Sequence, residues 1–171
     1  MKSTKTEFMR AKKGGRQQQP ANRKHRSNYA ITKRLRNSRS KAMVSVMLIV
    51  PNAQAAIDWY RDAMNAKELW NLGGVAGLEI NGAPFYIHEV NSNNPAEKSP
   101  GEAGVTSTRI ELFVDDPDGF MKGALAAGAT IGSPIDEHPR PWGKHRQGGF
   151  KDPFGHNWSV GDKSPLNAHP A

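Results

Sequence analysis

The feature that most constrains this chain is an internal repeat. A short apolar run followed by a helix-capping residue occurs twice, 64 residues apart, so that Val50 matches Val114 and Asn52 matches Asp116. In the first copy Val46, Leu48 and Val50 alternate with Ser45, Met47 and Ile49, the period of a strand with one buried face. Pro51 and Asn52 end that strand, and Asn52 predicts the cap of a helix. Ala53, Ala56, Ile57, Tyr60 and Met64 then recur at the three- and four-residue spacing of one buried helix face. Strands are predicted over 66–72, 75–80 and 84–90, punctuated by Gly73-Gly74 and by Asn81-Gly82, a hairpin-turn dipeptide.

A polar loop over 91–104 follows, and then the order repeats. Residues 109–114 predict a strand, Asp116 a helix cap, and Pro117 a first helical residue whose missing N–H costs nothing. Phe120, Ala124 and Ala127 mark the helix face and Gly128 its stop. Strands are predicted over 130–135 and 149–152. Pro153-Phe154-Gly155 then turns the chain into a last strand over 157–160. The fold class is therefore α+β, two βαβββ modules with a site built between pseudo-symmetric halves.

The charge is as unevenly divided as the pattern. Of 24 Lys and Arg, 14 fall in residues 1–42 beside a single acid, Glu7, which leaves residues 43–171 at −5 within a chain of net +8. Residues 1–42 hold few large apolar side chains, too few to offset the entropy of ordering, and are expected to be a disordered basic tail. Three roles compete for that tail. It could contact nucleic acid through phosphates, serve as an organelle-targeting leader, or be a solvated extension upstream of Met43. The last is favoured. The folded domain is placed at 45–161 and a flexible C-terminus at 162–171.

Absences narrow the function. Without cysteine there is no disulfide framework, Cys-ligated metal or thiol nucleophile. No apolar run reaches the 18 or so residues of a membrane span, and the N-terminus lacks the apolar core of a secretory signal, so a cytoplasmic protein is expected. No dinucleotide, P-loop, zinc-protease or G-x-S-x-G motif is present.

Strand parity selects the candidate site residues, because neighbours point to opposite faces. Opposite the apolar faces lie Ser45 and Met47 on the first strand, Tyr86 and His88 on the fourth, and Arg109, Glu111 and Phe113 on the fifth. Asn157 and Ser159 occupy that face of the last strand. Arg109 and Glu111 read either as solvated charges or as an anion anchor with its partner or base. His88 reads as a structural histidine or as a ligand contact. Trp142, in the stiff run Pro139-Arg140-Pro141-Trp142-Gly143, either packs on a sheet edge or stacks on a planar ligand. His145 and His156 are weaker candidates, the latter placed in turn packing.

The segments IVPNAQAAIDWYRDAMNAKEL, ELFVDDPDGFMKGALAAGAT and KDPFGHNWSV resemble the vicinal oxygen chelate superfamily. That superfamily includes glyoxalase I, bleomycin-resistance proteins and extradiol dioxygenases. The Asp-Pro-x-Gly turn at Asp152 before the last strand is the most telling part, and the resemblance is nearest to the small glyoxalase/bleomycin-resistance-like proteins. It implies that the two modules form a cup-shaped mixed sheet, and a homodimer with a cavity near the interface. It also implies metal-ligand positions at Ser45, His88, Arg109 and Ser159. Only His88 is a good ligand, and Arg109 is a permanent cation with no lone pair to give. A catalytic zinc takes about three protein ligands. No metal site and no cofactor are therefore expected. The function that the resemblance implies is metal-independent binding of a small molecule, a drug-like or planar organic ligand, as in antibiotic resistance by sequestration. A glyoxalase-like lyase or isomerase using Glu111 or His88 as general base is the alternative.

Overall fold

The structure, a computed structural model, describes residues 44–167. The basic tail expected at 1–42 lies outside the described residues. Two four-stranded mixed sheets carry the α+β architecture. The first contains β1 (Met47–Val50), β2 (Lys67–Asn71), β3 (Val75–Ile80) and β4 (Ala83–Glu89) in the order β1-β4-β3-β2. The second contains β5 (Arg109–Phe113), β6 (Thr130–Arg140), β7 (Gly143–Lys151) and β8 (Asn157–Gly161) in the order β5-β8-β7-β6. In each sheet the one parallel pair, β1 with β4 or β5 with β8, flanks an antiparallel meander.

The first helix, α1 (Ala53–Met64), starts where the Asn52 side chain accepts the Ala55 N–H at 2.8 Å, and Glu89 takes the Ala53 N–H. A short helical turn, α2 (Pro100–Ala103), interrupts the connection between modules. The third, α3 (Pro117–Ala126), is capped by Asp116, which accepts the Gly119 N–H at 2.9 Å. A 3₁₀ turn, Ser164–Asn167, follows β8. That turn lies within the segment 162–171 expected as a flexible C-terminus, of which residues 168–171 lie outside the described residues.

One core serves both modules. Leu48, Val50, Leu78 and Ile87 of the first sheet, Leu112, Phe150, Trp158 and Val160 of the second, and Ile57, Tyr60 and Met64 of α1 form a single buried cluster. On β1, β4 and β5 burial alternates, which leaves every second residue on the face away from the helices.

The long β6–β7 hairpin departs from the expected short strands. The interval 136–148 is polar and Pro-rich, so hydrophobic periodicity cannot detect it, yet its residues pair as far as Arg140 with Gly143. The register shifts twice between Ile131 and Asp136, which lets Pro134 sit where no ladder N–H is needed. Gly143, at φ +125°, closes the turn. Trp142 therefore stands at the tip of a β-ribbon, 43% exposed, rather than in an irregular loop.

Candidate functional site

Register turns the alternating strand residues into rows across each helix-free face. In the first sheet Met47, Tyr86, Gly77 and Trp70 form one row. The matching row of the second sheet is Glu111, Ser159, Gly149 and Ser133. Each row has a glycine on its third strand, but the neighbours have diverged. The first row is aromatic and apolar, and the second is polar.

In the first sheet the pairing of β2 with β3 shifts between Glu68 and Trp70, which turns the Trp70 indole across Gly77. A Cβ at Gly77 would stand 2.6 Å from the indole, so only glycine leaves room for the ring. Trp70 meets Tyr86 at a centroid distance of 5.7 Å with 30° between the planes. The indole keeps 40% exposure and Met47 keeps 50%. The result is an aromatic plate open to solvent. Trp70 was not among the expected site residues, although Gly77 within an apolar strand was the signal for a close-packed ring. His88 lies on the next row, paired with Ile49 and Val75. Its Nδ1 is buried and without a hydrogen-bond partner, 3.7 Å from Glu97.

On the second sheet Arg109 donates to Glu111 at 2.7 Å, and Gln147 donates to the other carboxylate oxygen at 2.9 Å. Both Glu111 oxygens are thereby occupied, which orients the carboxylate. Ser159 is buried, with its hydroxyl 3.5 Å from the Gly148 carbonyl. Phe113 lies beside His145 at a ring separation of 6.4 Å. His145, a weak candidate by sequence, is 3% exposed, and its Nδ1 lies 2.8 Å from Asp162 and 3.1 Å from Ser164. Its outer ring edge rests where a Cβ on Gly161 would be. Burial works to raise the Asp162 pKa, but hydrogen bonds from Ser164, the Arg146 N–H and His145 outweigh it and hold the carboxyl well below the usual range.

The expected residues thus fall in four places. Met47 and Tyr86 join Trp70 on the first sheet. Arg109, Glu111, Phe113 and Ser159 share the second. Ser45 lies just before β1 with its hydroxyl on the Pro84 carbonyl, and Trp142 stands apart at the ribbon tip. Between the β1 edge and the approach to β5 is a further cavity of about 260 Å³, lined by Met47, Ile49, Thr106, Ile110 and His156. His156 closes its floor by donating from Nε2 to the Ile49 carbonyl at 3.0 Å.

A family model described as the glyoxalase/bleomycin resistance protein/dioxygenase superfamily matches residues 42–160. The chain belongs to that superfamily. An uncharacterized protein of Mycobacterium bovis is 36% identical over 126 residues, covering 69% of this chain and 81% of the relative. Among solved structures, TioX from Micromonospora has a TM-score of 0.56 at 23% identity, covering 71% of this chain and 98% of its own. A fosfomycin resistance protein from Listeria monocytogenes gives 0.54 at 20% identity, covering 75% and 98%. These likenesses establish the fold.

The positions that the resemblance offers for a metal, Ser45, His88, Arg109 and Ser159, do not make up a ligand set among the described residues. Ser45 and Ser159 spend their hydroxyls on carbonyls, Arg109 is a cation bound to Glu111, and only His88 offers a ring nitrogen. Among the described residues no three His, Asp or Glu side chains group as a metal would require. Register also refines the pseudo-symmetry. The pair Met47–Tyr86 matches Glu111–Ser159, so the counterpart of Ser159 is Tyr86, and His88 corresponds to Gly161.

Proposed function

We propose that this member of the superfamily is a metal-independent small-molecule-binding protein that sequesters a planar, drug-like organic ligand. The observation that supports this reading is the Trp70–Tyr86 plate. A tryptophan is held flat against a bare glycine and still leaves its outer face to water. An exposed aromatic surface of that kind costs solvation unless something covers it, and a flat ligand does so by stacking. Met47 supplies adaptable apolar surface beside it. Pairing of two copies, common in this superfamily, would enclose the face further, and we place the protein in the cytoplasm. Titration with a panel of planar heteroaromatic compounds, followed by indole fluorescence, tests the reading. A saturable quench that disappears in Trp70→Ala is expected. Wild-type affinity in that variant would overturn it.

One observation favours a catalytic reading, a lyase or isomerase. The Nδ1 of His88 has no hydrogen-bond partner among the described residues and stands 3.7 Å from the Glu97 carboxylate, a ring nitrogen left free to exchange a proton with a substrate. Glu111, the other candidate base, already has both oxygens engaged. Turnover lost in His88→Gln but kept in Glu111→Gln would support that assignment.

A further inference from the structure

The two sheets treat the same glycine row differently, and the difference points to the chemistry of the ligand. On the first sheet Trp70 covers Gly77. On the second, Gly149 is faced by Ser133, whose hydroxyl would lie 3.7 Å from a Cβ there. No ring covers Gly149. The position is also barred to any side chain, because a Cβ would come within 2.8 Å of the Trp158 carbonyl. Gly132 stands next to it, its own Cβ position 3.2 Å from the Gly149 carbonyl. The two glycines line an open cavity of about 520 Å³ together with Ile131, Phe150 and Trp158, within the ~300–1,000 Å³ typical of small-molecule sites.

The walls of that cavity come from the neighbouring row: Arg109, Asn157, Lys151 and Thr130, one from each strand in sheet order. Both charged lining residues are cations, and no carboxylate lines the cavity. This is notable in a region, residues 43–171, whose net charge is −5. Glu111 fixes Arg109 through Nε and Nη2, while among the described residues neither Nη1 nor the Lys151 ammonium has a partner. Strand spacing puts the two Cα atoms roughly 10 Å apart across Asn157. Side chains of that length can converge on one group from both sides. A guanidinium held in place offers a fork to a carboxylate or sulfonate, and an ammonium adds a point charge.

We infer that this cavity on the second sheet is a seat for the anionic end of a planar organic acid, gripped by Arg109 and Lys151 with Asn157 and Thr130 as hydrogen-bonding flanks. The inference rests on the small-molecule-binding reading above and assigns a ligand class to it: aromatic or conjugated, and acidic. Its lone net-charge cost, approach to an acidic domain, is offset at close range by two cations.

The test uses the full chain and two matched probes, 2-naphthoate and the neutral 2-naphthylmethanol, with affinities measured by calorimetry. The acid is expected to bind about tenfold or more tighter than the alcohol, the worth of a charge-assisted pair. That ratio should fall towards one in Lys151→Gln and in Arg109→Gln, and should shrink in wild type as salt is raised. Both positions are exposed, so the variants keep the fold, checked by an unchanged circular dichroism spectrum. Equal affinities in wild type, or a preference for the acid that survives both substitutions, would overturn the inference. In that case binding of the alcohol would leave the small-molecule reading standing. Failure of both probes to bind would overturn the two together.

Discussion

The Tyr60 hydroxyl donates a 2.6 Å hydrogen bond to the Asp152 carboxylate, tying the helix of the first module to the closing turn of the second. The same Asp152 oxygen accepts the Trp158 indole N–H at 2.9 Å, and the other accepts the backbone N–H groups of Phe154 and His156. Asp152 is 4% exposed, so it is a buried carboxylate kept by four donors. Burial, reinforced by the charge of Asp152, pushes the Tyr60 hydroxyl well above its ordinary pKa, so it remains a donor throughout the working range. Asp-Pro-x-Gly is therefore the joint between modules. Gly155, at φ +96°, completes the turn against the backbone of Gly101.

Removing a donor from this joint should be costly. Tyr60→Phe is expected to lose ~1–3 kcal/mol, the penalty for leaving a buried acceptor short of a partner. Asp152→Ala orphans four donors and should lose ~3 kcal/mol or more. Urea denaturation of both variants reads the order directly. A wild-type midpoint for Asp152→Ala would contradict the assignment.

Gly77→Ala should displace the Trp70 indole without unfolding the sheet. The added methyl lands 2.6 Å from the ring, while the ring itself is 40% exposed and free to swing outward. A red-shifted emission maximum and about tenfold weaker binding of planar ligands are expected, with stability changed by no more than ~1 kcal/mol. Unchanged emission would show that the indole does not depend on the bare strand.

Acid should weaken the domain in two stages. Burial lowers the His156 pKa, and its Nε2 must carry the proton it donates to the Ile49 carbonyl, so the folded state holds the neutral imidazole. The unfolded chain takes up the extra proton first. Stability from this group is therefore full above the unfolded value of about 6.5 and falls as pH drops below it, down to the lower folded value. Asp162, held well below the usual carboxylate range, adds a loss that begins only below about pH 3.9. His156→Gln, measured by denaturant midpoint against pH, should flatten the first stage and leave the second.

Metal should neither bind tightly nor stabilise. Calorimetric titration with nickel, zinc or manganese is expected to show no stoichiometric sub-micromolar site, and saturating metal should leave the melting temperature unmoved. Tight one-to-one binding that depends on His88 would overturn the metal-independent reading.

Much of the fold was legible because it is written in local periodicity. The period of two in Val46, Leu48 and Val50, the helical spacing of Ala56, Ile57 and Tyr60, and the caps at Asn52 and Asp116 depend only on neighbours a few residues away. The same parity put Met47, Tyr86, Arg109 and Glu111 on the faces away from the helices. The outer part of the β6–β7 ribbon, residues 136–148, was not legible because its residues are mostly polar and follow no hydrophobic period.

The sequence by itself therefore determined the two modules, their caps and the faces of the residues on the regular strands β1, β4 and β5. Only the tertiary structure decided that Trp70 lies on Gly77, that Asp152 joins the modules, and that Arg109 and Lys151 share a cavity over bare backbone. Each of those depends on pairing between segments far apart in the chain. A single-residue bulge, as between Glu68 and Trp70, there selects the face a side chain takes, and no local pattern encodes that choice.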